Sequence, residues 1–271
     1  MSLPDTLKKR PPWVVFLILV LWAGCSSPPA QLSSRYSTLS KAGSPEKIIE
    51  EFSQEELVRQ ATVLFPYHTS YKKLHLHSDR PFEEADAVPI LVEVQRRLSD
   101  SPIYNPEDSI HAFICNDGWK EELYMGGVGQ IGGRAYFRTA PHVFFTKADV
   151  PNDALLSPAG RPIAPPRTFT YYLAHEFTHV MLGRHLGGQR FDEIPTWVFE
   201  GYPDYVGLGP GYTAEQARKA YEERDPRTHG TMAEDYLRYG LMVATYLESH
   251  DVQSLLDAPP DEASFSTLFT E

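Results

Sequence analysis

Two histidines, with a glutamate directly after the first, are spaced for metal chemistry. They are His175, Glu176 and His179, in the segment YYLAHEFTHV. Residues four apart lie on one face of a helix, so both imidazoles can reach the same Zn²⁺ ion. A glutamate next to the first histidine can face the metal-bound water and act as a base. The spacing therefore indicates a hydrolytic zinc site in which Glu176 is the base rather than a ligand.

The segment that carries these residues must be helical for this chemistry. Leu173, Phe177 and Val180 recur at helical spacing and form a separate apolar stripe. We predict a helix over about residues 168–182, with Gly183 as its C-cap. A lone motif of this kind also arises on ordinary amphipathic helices, so a third ligand is needed to support the assignment.

A second segment, PTWVFEGYPDYV, supplies Glu200 and Asp204. Catalytic zinc usually takes three protein ligands and one water. HExxH with this later ExxxD resembles the gluzincin zinc metallopeptidases, the thermolysin- and aminopeptidase-like clan, and the surrounding P-x-W…E-G is similar to their small peptidase-MA-like members. The resemblance covers Thr168 to Leu247. It implies one Zn²⁺ per chain, bound by His175, His179 and Glu200, with Asp204 orienting a zinc-bound histidine.

Asp192 and Glu193 are the rival carboxylates for the third ligand position. Both precede Pro195, which favours the start of a helix, so we expect them in the preceding loop or its cap. Glu200 falls inside that helix, where a rigid backbone can aim it. Gly201 would leave room for a close approach to the HExxH helix. These spacings favour Glu200 as the ligand.

The chain departs from the family pattern at two points. Pro203 falls between Glu200 and Asp204, and we expect it to bend the helix because proline removes a backbone hydrogen bond. Aminopeptidase-like members place an oxyanion-stabilising tyrosine three residues before a glycine, whereas Leu237 stands at that distance from Gly240. Three other side chains remain candidates for this catalytic donor: Tyr236, Tyr239 and His229.

The first residues are typical of a secretory signal peptide. A basic run from Lys8 to Arg10 precedes an apolar run from Trp13 to Trp22 and a small-residue exit. The apolar run is shorter than the roughly 20 residues that span a bilayer, which disfavours the alternative of an uncleaved membrane anchor. We predict a signal peptide at 1–24, a lipidated, flexible tether at 25–43 and a zinc metallopeptidase domain at 44–271.

The segment LWAGC, at the end of the predicted signal peptide, resembles a bacterial lipobox. Trp22 stands where the family usually has Leu, Val or Ile. The resemblance implies lipidation of Cys25, and hence a lipid bilayer as a partner and export to the cell envelope. Ser26 is consistent with sorting to the outer membrane of a Gram-negative host. Because Cys25 lies at the leader, we do not expect a disulfide with Cys115. The net charge of −11 argues against a nucleic-acid partner.

The order of patterns predicts an α+β fold with N-terminal helices, a small mixed or antiparallel sheet, and then a mostly helical, zincin-type catalytic lobe. A capping box at Ser53 and Glu56 begins the first helix. A second helical pattern, 83–98, is interrupted by Pro89. Strand patterns follow at 110–115, 135–138 and 142–146. We expect the last of these at the edge of the sheet, where it can pair with an extended peptide.

Two further features of the sequence do not predict a binding site. Gly127, Gly129 and Gly132 spell GxGxxG, but a β-like run follows instead of a helix, so we do not predict nucleotide binding. No ligand spacing joins the remaining histidines of interest, which we interpret as structural or surface residues: His68, His75, His77 and His185.

Three functions remain open. The first is an endopeptidase of the cell envelope that acts on peptide or protein substrates. The second is an aminopeptidase, which needs an acid to bind the substrate amine, and the glycine-rich segment MGGVGQIGG contains none. The third is a non-enzymatic envelope lipoprotein that uses the fold as a binding module. Glu176 counts against the third, because zinc binding alone does not require it.

Overall fold

The computed structural model describes residues 53–126, 132–157, 159–163, 167–225, 227 and 230–269. The chain divides into two units, 1–60 and 61–271. In the first unit the described part contains helix α1, Gln54–Arg59, which begins with the predicted capping box of Ser53 and Glu56. The predicted signal peptide and the whole predicted tether, which includes Cys25, lie outside the described residues.

The second unit alternates helices and strands before it becomes helical. Its strands are β1 Tyr67–Tyr71, β2 Leu74–Ser78, β3 Ile110–Ile114, β4 Gly133–Ala135, β5 His142–Phe145, β6 Ala148–Asp149 and β7 Ala154–Leu155. Its helices are α2 Glu84–Ser99, α3 Gly118–Met125, α4 Phe169–Glu193, α5 Thr196–Leu208, α6 Ala214–Glu222, α7 Met232–Leu247 and α8 Val252–Asp257. Two 3₁₀ helices, Ala61–Leu64 and Glu262–Leu268, also lie within the described residues. Among the described residues, no helix has the length and apolar character needed to cross a membrane.

The main sheet has five strands in the order β1-β2-β3-β5-β4. The two outer pairs, β1 with β2 and β4 with β5, are antiparallel, whereas β2, β3 and β5 run parallel. The α+β prediction with a mixed sheet is confirmed. The predicted edge position of the strand that begins at His142 is wrong, because β5 lies between β3 and β4 and β4 is the outer strand.

The two faces of this sheet differ in chemistry. One face carries buried aliphatic side chains such as Leu76 and Ala112, which belong to the main core together with Leu91 of α2 and Phe177 of α4. The core holds α2 in one helix through Pro89, so the predicted interruption does not occur. The opposite face carries aromatic rings. Phe113, Phe144 and Tyr124 stack in sequence, with ring centroids 4.9 and 4.2 Å apart.

Helix α4 is longer than the predicted segment. It runs from Phe169 to Glu193 and is broken only at Gly187, whose φ of 71° is left-handed. Gly183 is therefore not the C-cap. It allows a close approach instead, since a Cβ there would fall 2.0 Å from the ring of Phe137.

Candidate metal centre

The HExxH residues lie on the buried side of α4. The side chain of Thr168 caps this helix by accepting from the amide of Tyr171, 3.2 Å away. His175, Glu176 and His179 are all buried. The Nε2 atoms of the two histidines lie 3.2 Å apart, so both lone pairs can point at one position. The predicted helix and the predicted convergence of its two imidazoles are confirmed.

Glu200 approaches this pair from α5. Its Oε2 lies 3.6 Å from Nε2 of His175 and 3.5 Å from Nε2 of His179. The same Oε2 is buried and makes no hydrogen bond of good geometry to a described residue. His175, His179 and Glu200 therefore form a group that can hold a metal ion. Two imidazoles and one carboxylate match the ligand set of catalytic zinc and leave a position for water.

The position of Glu200 follows from the start of α5. Pro195 is the residue before the helix, and its carbonyl accepts from the amides of Val198 and Phe199. Glu200 is thereby held one turn into a rigid element. Phe199 also packs on His179, with ring centroids 4.5 Å apart, which limits rotation of that imidazole.

The rival carboxylates lie elsewhere. Asp192 and Glu193 belong to the last turn of α4 and not to a loop, so that part of the sequence interpretation is wrong. Asp192 forms an ion pair with Arg138, and Glu193 accepts from Gln189. Neither belongs to the group that can hold a metal.

The charges of the centre depend on one another. Burial raises the pKa of the Glu176 carboxyl, although the two imidazoles act in the opposite direction. For Glu200, burial favours the neutral form, but the neighbouring imidazoles of His175 and His179 outweigh it and lower the pKa. Burial lowers the pKa of His179, but the neighbouring carboxylate of Glu200 more than compensates, so the net shift is upward. The two carboxylates of the centre therefore differ: the ionised form is favoured at Glu200 and disfavoured at Glu176.

The edge strand of the sheet contacts the predicted base directly. Gly133 lies in β4, and a Cβ at this position would fall 2.7 Å from Cγ of Glu176 and 2.8 Å from its Oε1. Only a glycine lets the backbone pass so close to the carboxylate. The outer strand thus runs alongside the HExxH helix at the position of Glu176.

Asp204 does not contact a histidine. Its Oδ1 accepts from Nη2 of Arg167 at 3.0 Å and from the hydroxyl of Tyr171. The Nδ1 atoms of His175 and His179 are buried and have no hydrogen-bond partner among the described residues. The predicted contact between Asp204 and a zinc-bound histidine is therefore not made. Asp204, which is buried, instead compensates the half-buried guanidinium of Arg167 beside the centre.

Two glycines and a proline decide how α5 packs. The helix continues through Pro203, which is buried. A Cβ at Gly201 would fall 2.6 Å from the carbonyl oxygen of Tyr239, so its close approach is to α7 and not to the HExxH helix as predicted. Gly207 is the residue that meets α4, because a Cβ there would fall 3.0 Å from the ring of Tyr171.

Of the candidate oxyanion donors, Tyr236 is the one at the centre. Its ring lies 5.7 Å from that of His175, and the guanidinium of Arg167 lies 5.4 Å from the Tyr236 ring. Burial, the charges of Glu200 and Glu176, and a hydrogen bond with Glu200 raise its pKa, so the phenol stays protonated and can donate. Tyr239 is partly exposed and lies beside Arg238. His229 lies outside the described residues.

No protein-family model and no curated protein matches this chain.

Sequence reasoning missed the residues that surround Asp204. Tyr171 stands four residues before His175, so helical spacing could have placed it on the same face of α4. Arg167 directly precedes the N-cap and belongs to no motif. Its role depends on the packing of α4, α5 and α7. No local sequence pattern predicts it.

Proposed function

We propose that this protein is a zinc metallopeptidase whose metal is bound by His175, His179 and Glu200. The observation that carries the proposal is the convergence of these three ligand atoms beside the buried carboxylate of Glu176. Bound zinc would lower the pKa of a water molecule towards about 7 and polarise a substrate carbonyl.

Glu176 is the base. It takes a proton from the attacking water and delivers it to the leaving amine. Burial supports this role because it raises the pKa of the Glu176 carboxyl, and a carboxylate with a raised pKa is a stronger base. Tyr236 supplies a protonated phenol beside His175, where it donates a hydrogen bond to the oxyanion.

The substrate is an extended peptide that pairs with β4. An outer strand offers unpaired backbone groups, and strand addition satisfies them with a peptide. The contact between Gly133 and Glu176 supports this choice, because a peptide bound along β4 is brought to the base. The segment 125–133 contains no acid to capture an N-terminal amine, which favours an endopeptidase over an aminopeptidase.

Replacing Glu176 with Gln tests the activity. Wild-type protein is expected to cleave an unstructured protein substrate such as reduced casein, and a chelator should abolish the cleavage. Glu176→Gln should retain zinc and lose hydrolysis by about 10²-fold or more, since the base contributes that much. Wild-type protein that binds zinc and cleaves no peptide would favour the alternative of a non-enzymatic binding module.

We also propose that Cys25 carries a lipid anchor that attaches the protein to the bacterial cell envelope at the outer membrane. The proposal rests on the lipobox-like exit LWAGC and on Ser26. Cys25→Ser should move the protein from the membrane fraction to the soluble fraction. A leader that remains intact with Cys25 unmodified would contradict it.

A further inference from the structure

Four histidines from three neighbouring strands lie together on one face of the main sheet. We refer to His68, His75, His77 and His111 as the histidine block. Residue pairing in the sheet sets His68 opposite His77 and His75 opposite His111. Neighbours across strands project to the same face, so all four rings stand on the side opposite the aliphatic core.

The rings of the block form two layers. In the outer layer, Nε2 of His68 lies 3.2 Å from Nδ1 of His75. In the inner layer, Nε2 of His77 lies 3.0 Å from Nδ1 of His111. His68 stacks on His77 and His75 stacks on His111, with ring centroids 4.4 and 4.3 Å apart. The inner layer therefore fixes the orientation of both rings in the outer layer.

The outer layer has the geometry of a two-histidine metal site. Two imidazole nitrogens 3.2 Å apart share either a proton or a metal ion. Tetrahedral zinc, with bonds of about 2.0–2.1 Å, sets its nitrogen ligands about 3.4 Å apart. The Nε2 atoms of His175 and His179 show the same 3.2 Å separation.

The location of the block favours a ligand role over packing. The covered part of the same face holds the fully buried Phe113 and Phe144, with the buried imidazoles of His77 and His142 next to them. Where the face opens to solvent it still carries imidazoles: His68 is exposed and His75 is half-buried. Apolar rings would serve packing equally well, whereas imidazoles add nitrogen lone pairs at an accessible position.

Cationic side chains also lie near the block. Arg184 faces His111, and its charge is partly compensated by Asp108, 3.1 Å away. Lys73 acts on His75.

We propose that His68 and His75 bind a second divalent transition-metal ion, of the Zn²⁺ and Cu²⁺ class, with water completing its coordination. Imidazole is a preferred ligand of both ions. Among the described residues, the group formed by His175, His179 and Glu200 is the one with three ligand atoms close together. The second site, with two protein ligands, is accordingly the weaker of the two.

The test uses Cu²⁺ as a paramagnetic probe on the full chain. His179→Ala weakens the first centre, and this variant is titrated with Cu²⁺ and followed by electron paramagnetic resonance. We expect one Cu²⁺ per chain with hyperfine coupling to imidazole nitrogen, and we expect excess Zn²⁺ to displace it. Adding His75→Gln should weaken the binding at least about tenfold. Adding His185→Gln, an exposed histidine outside the block, should leave it unchanged.

The same comparison in the zinc-loaded wild type covers the case in which His179→Ala does not fold. One equivalent of Zn²⁺ fills the first centre, and Cu²⁺ is then added to wild type, His75→Gln and His185→Gln. Folding of each variant is checked by circular dichroism. Equal Cu²⁺ binding by His75→Gln and His185→Gln, or no Cu²⁺ bound beyond the first centre, would overturn the proposal. Neither result bears on the zinc at His175, His179 and Glu200.

Discussion

The backbone of Gly133 lies against the carboxylate of Glu176, so close that a Cβ on Gly133 would fall 2.8 Å from Oε1. This contact joins the outer strand of the sheet to the helix that carries the candidate base. In the proposed function, it would link the position of a peptide bound along β4 to the position of the base. The size of the side chain at residue 133 should therefore affect the catalytic rate.

Gly133→Ala should lower kcat while zinc stays bound. The added methyl group displaces either β4 or the Glu176 side chain, and a shift of about 1 Å near the reacting atoms can cost about 10²-fold in rate. Gly118→Ala is the matched control, because a Cβ at Gly118 meets nothing within 4 Å. Steady-state kinetics and zinc content should be measured for both variants. Unchanged kcat in Gly133→Ala would mean that the contact has no part in catalysis.

Tyr236→Phe and Tyr239→Phe separate the two candidate donors. Tyr236 lies beside His175, whereas Tyr239 lies beside Arg238. Loss of one oxyanion donor costs about 10²–10³ in kcat, and we expect that loss for Tyr236→Phe alone. Tyr239→Phe should behave like wild type. A larger kcat defect in Tyr239→Phe would reverse the assignment.

Asp204→Asn should destabilise the fold more than it weakens zinc binding. The substitution leaves the half-buried Arg167 without its counter-charge, and breaking a fully buried pair in this way costs about 3–5 kcal/mol of unfolding free energy, which is the upper bound here. Asp192→Asn serves as the control, since its ion pair with Arg138 is exposed. Urea unfolding and zinc competition should be measured together. If Asp204 oriented a zinc-bound histidine, zinc affinity would instead fall by about 10–100-fold.

His77→Phe should reduce the acid sensitivity of the fold. His77 has an ordinary pKa of 6.5, lowered to about 2 in the folded chain by burial and by the surrounding histidines. The unfolded chain therefore gains a proton below about pH 6.5 that the folded chain does not accept, and stability falls from there towards pH 2. Phe can keep the stack on Phe113, whose ring centroid is 4.7 Å away.

Urea unfolding at pH 7 and pH 5, in the presence of a chelator, measures this effect. Between pH 7 and pH 5, the unfolding free energy of wild type should fall by more than that of His77→Phe. His250→Gln, an exposed histidine outside the block, should lose as much as wild type. Equal losses in wild type and His77→Phe would show that the block is not protected from protons.

The sequence predicted those elements whose signals are local. The capping box at Ser53 and Glu56 and the strand beginning at Ile110 both formed as predicted. The β1–β2 hairpin was missed because its two-residue turn is Lys72–Lys73, without the Asn-Gly or Asp-Gly pair that marks such turns. Lys72 nevertheless adopts a φ of 52°. With the hairpin missed, the histidines that it brings together could not be recognised as a cluster.

At the candidate metal centre, residue spacing was enough to predict which side chains converge when a single helix carries them. The i, i+4 rule brought His175 and His179 together, and helix initiation at Pro195 separated Glu200 from its rivals. The partners of Asp204 could not be predicted, because Arg167 and Tyr171 reach it through the packing of two helices. Tertiary contacts of this kind leave no periodic signal in the sequence.

Zinc content of matched glutamate variants tests the central claim most directly. Wild type, Glu200→Ala and Glu193→Ala are purified, dialysed against a limiting zinc buffer and measured by elemental analysis. Glu200 belongs to the group of three residues that can hold a metal ion, whereas Glu193 accepts a hydrogen bond from Gln189 at the end of α4. We predict one zinc per chain in wild type and Glu193→Ala, and a strong loss in Glu200→Ala. Wild type without zinc, or equal zinc in the two variants, would contradict the account.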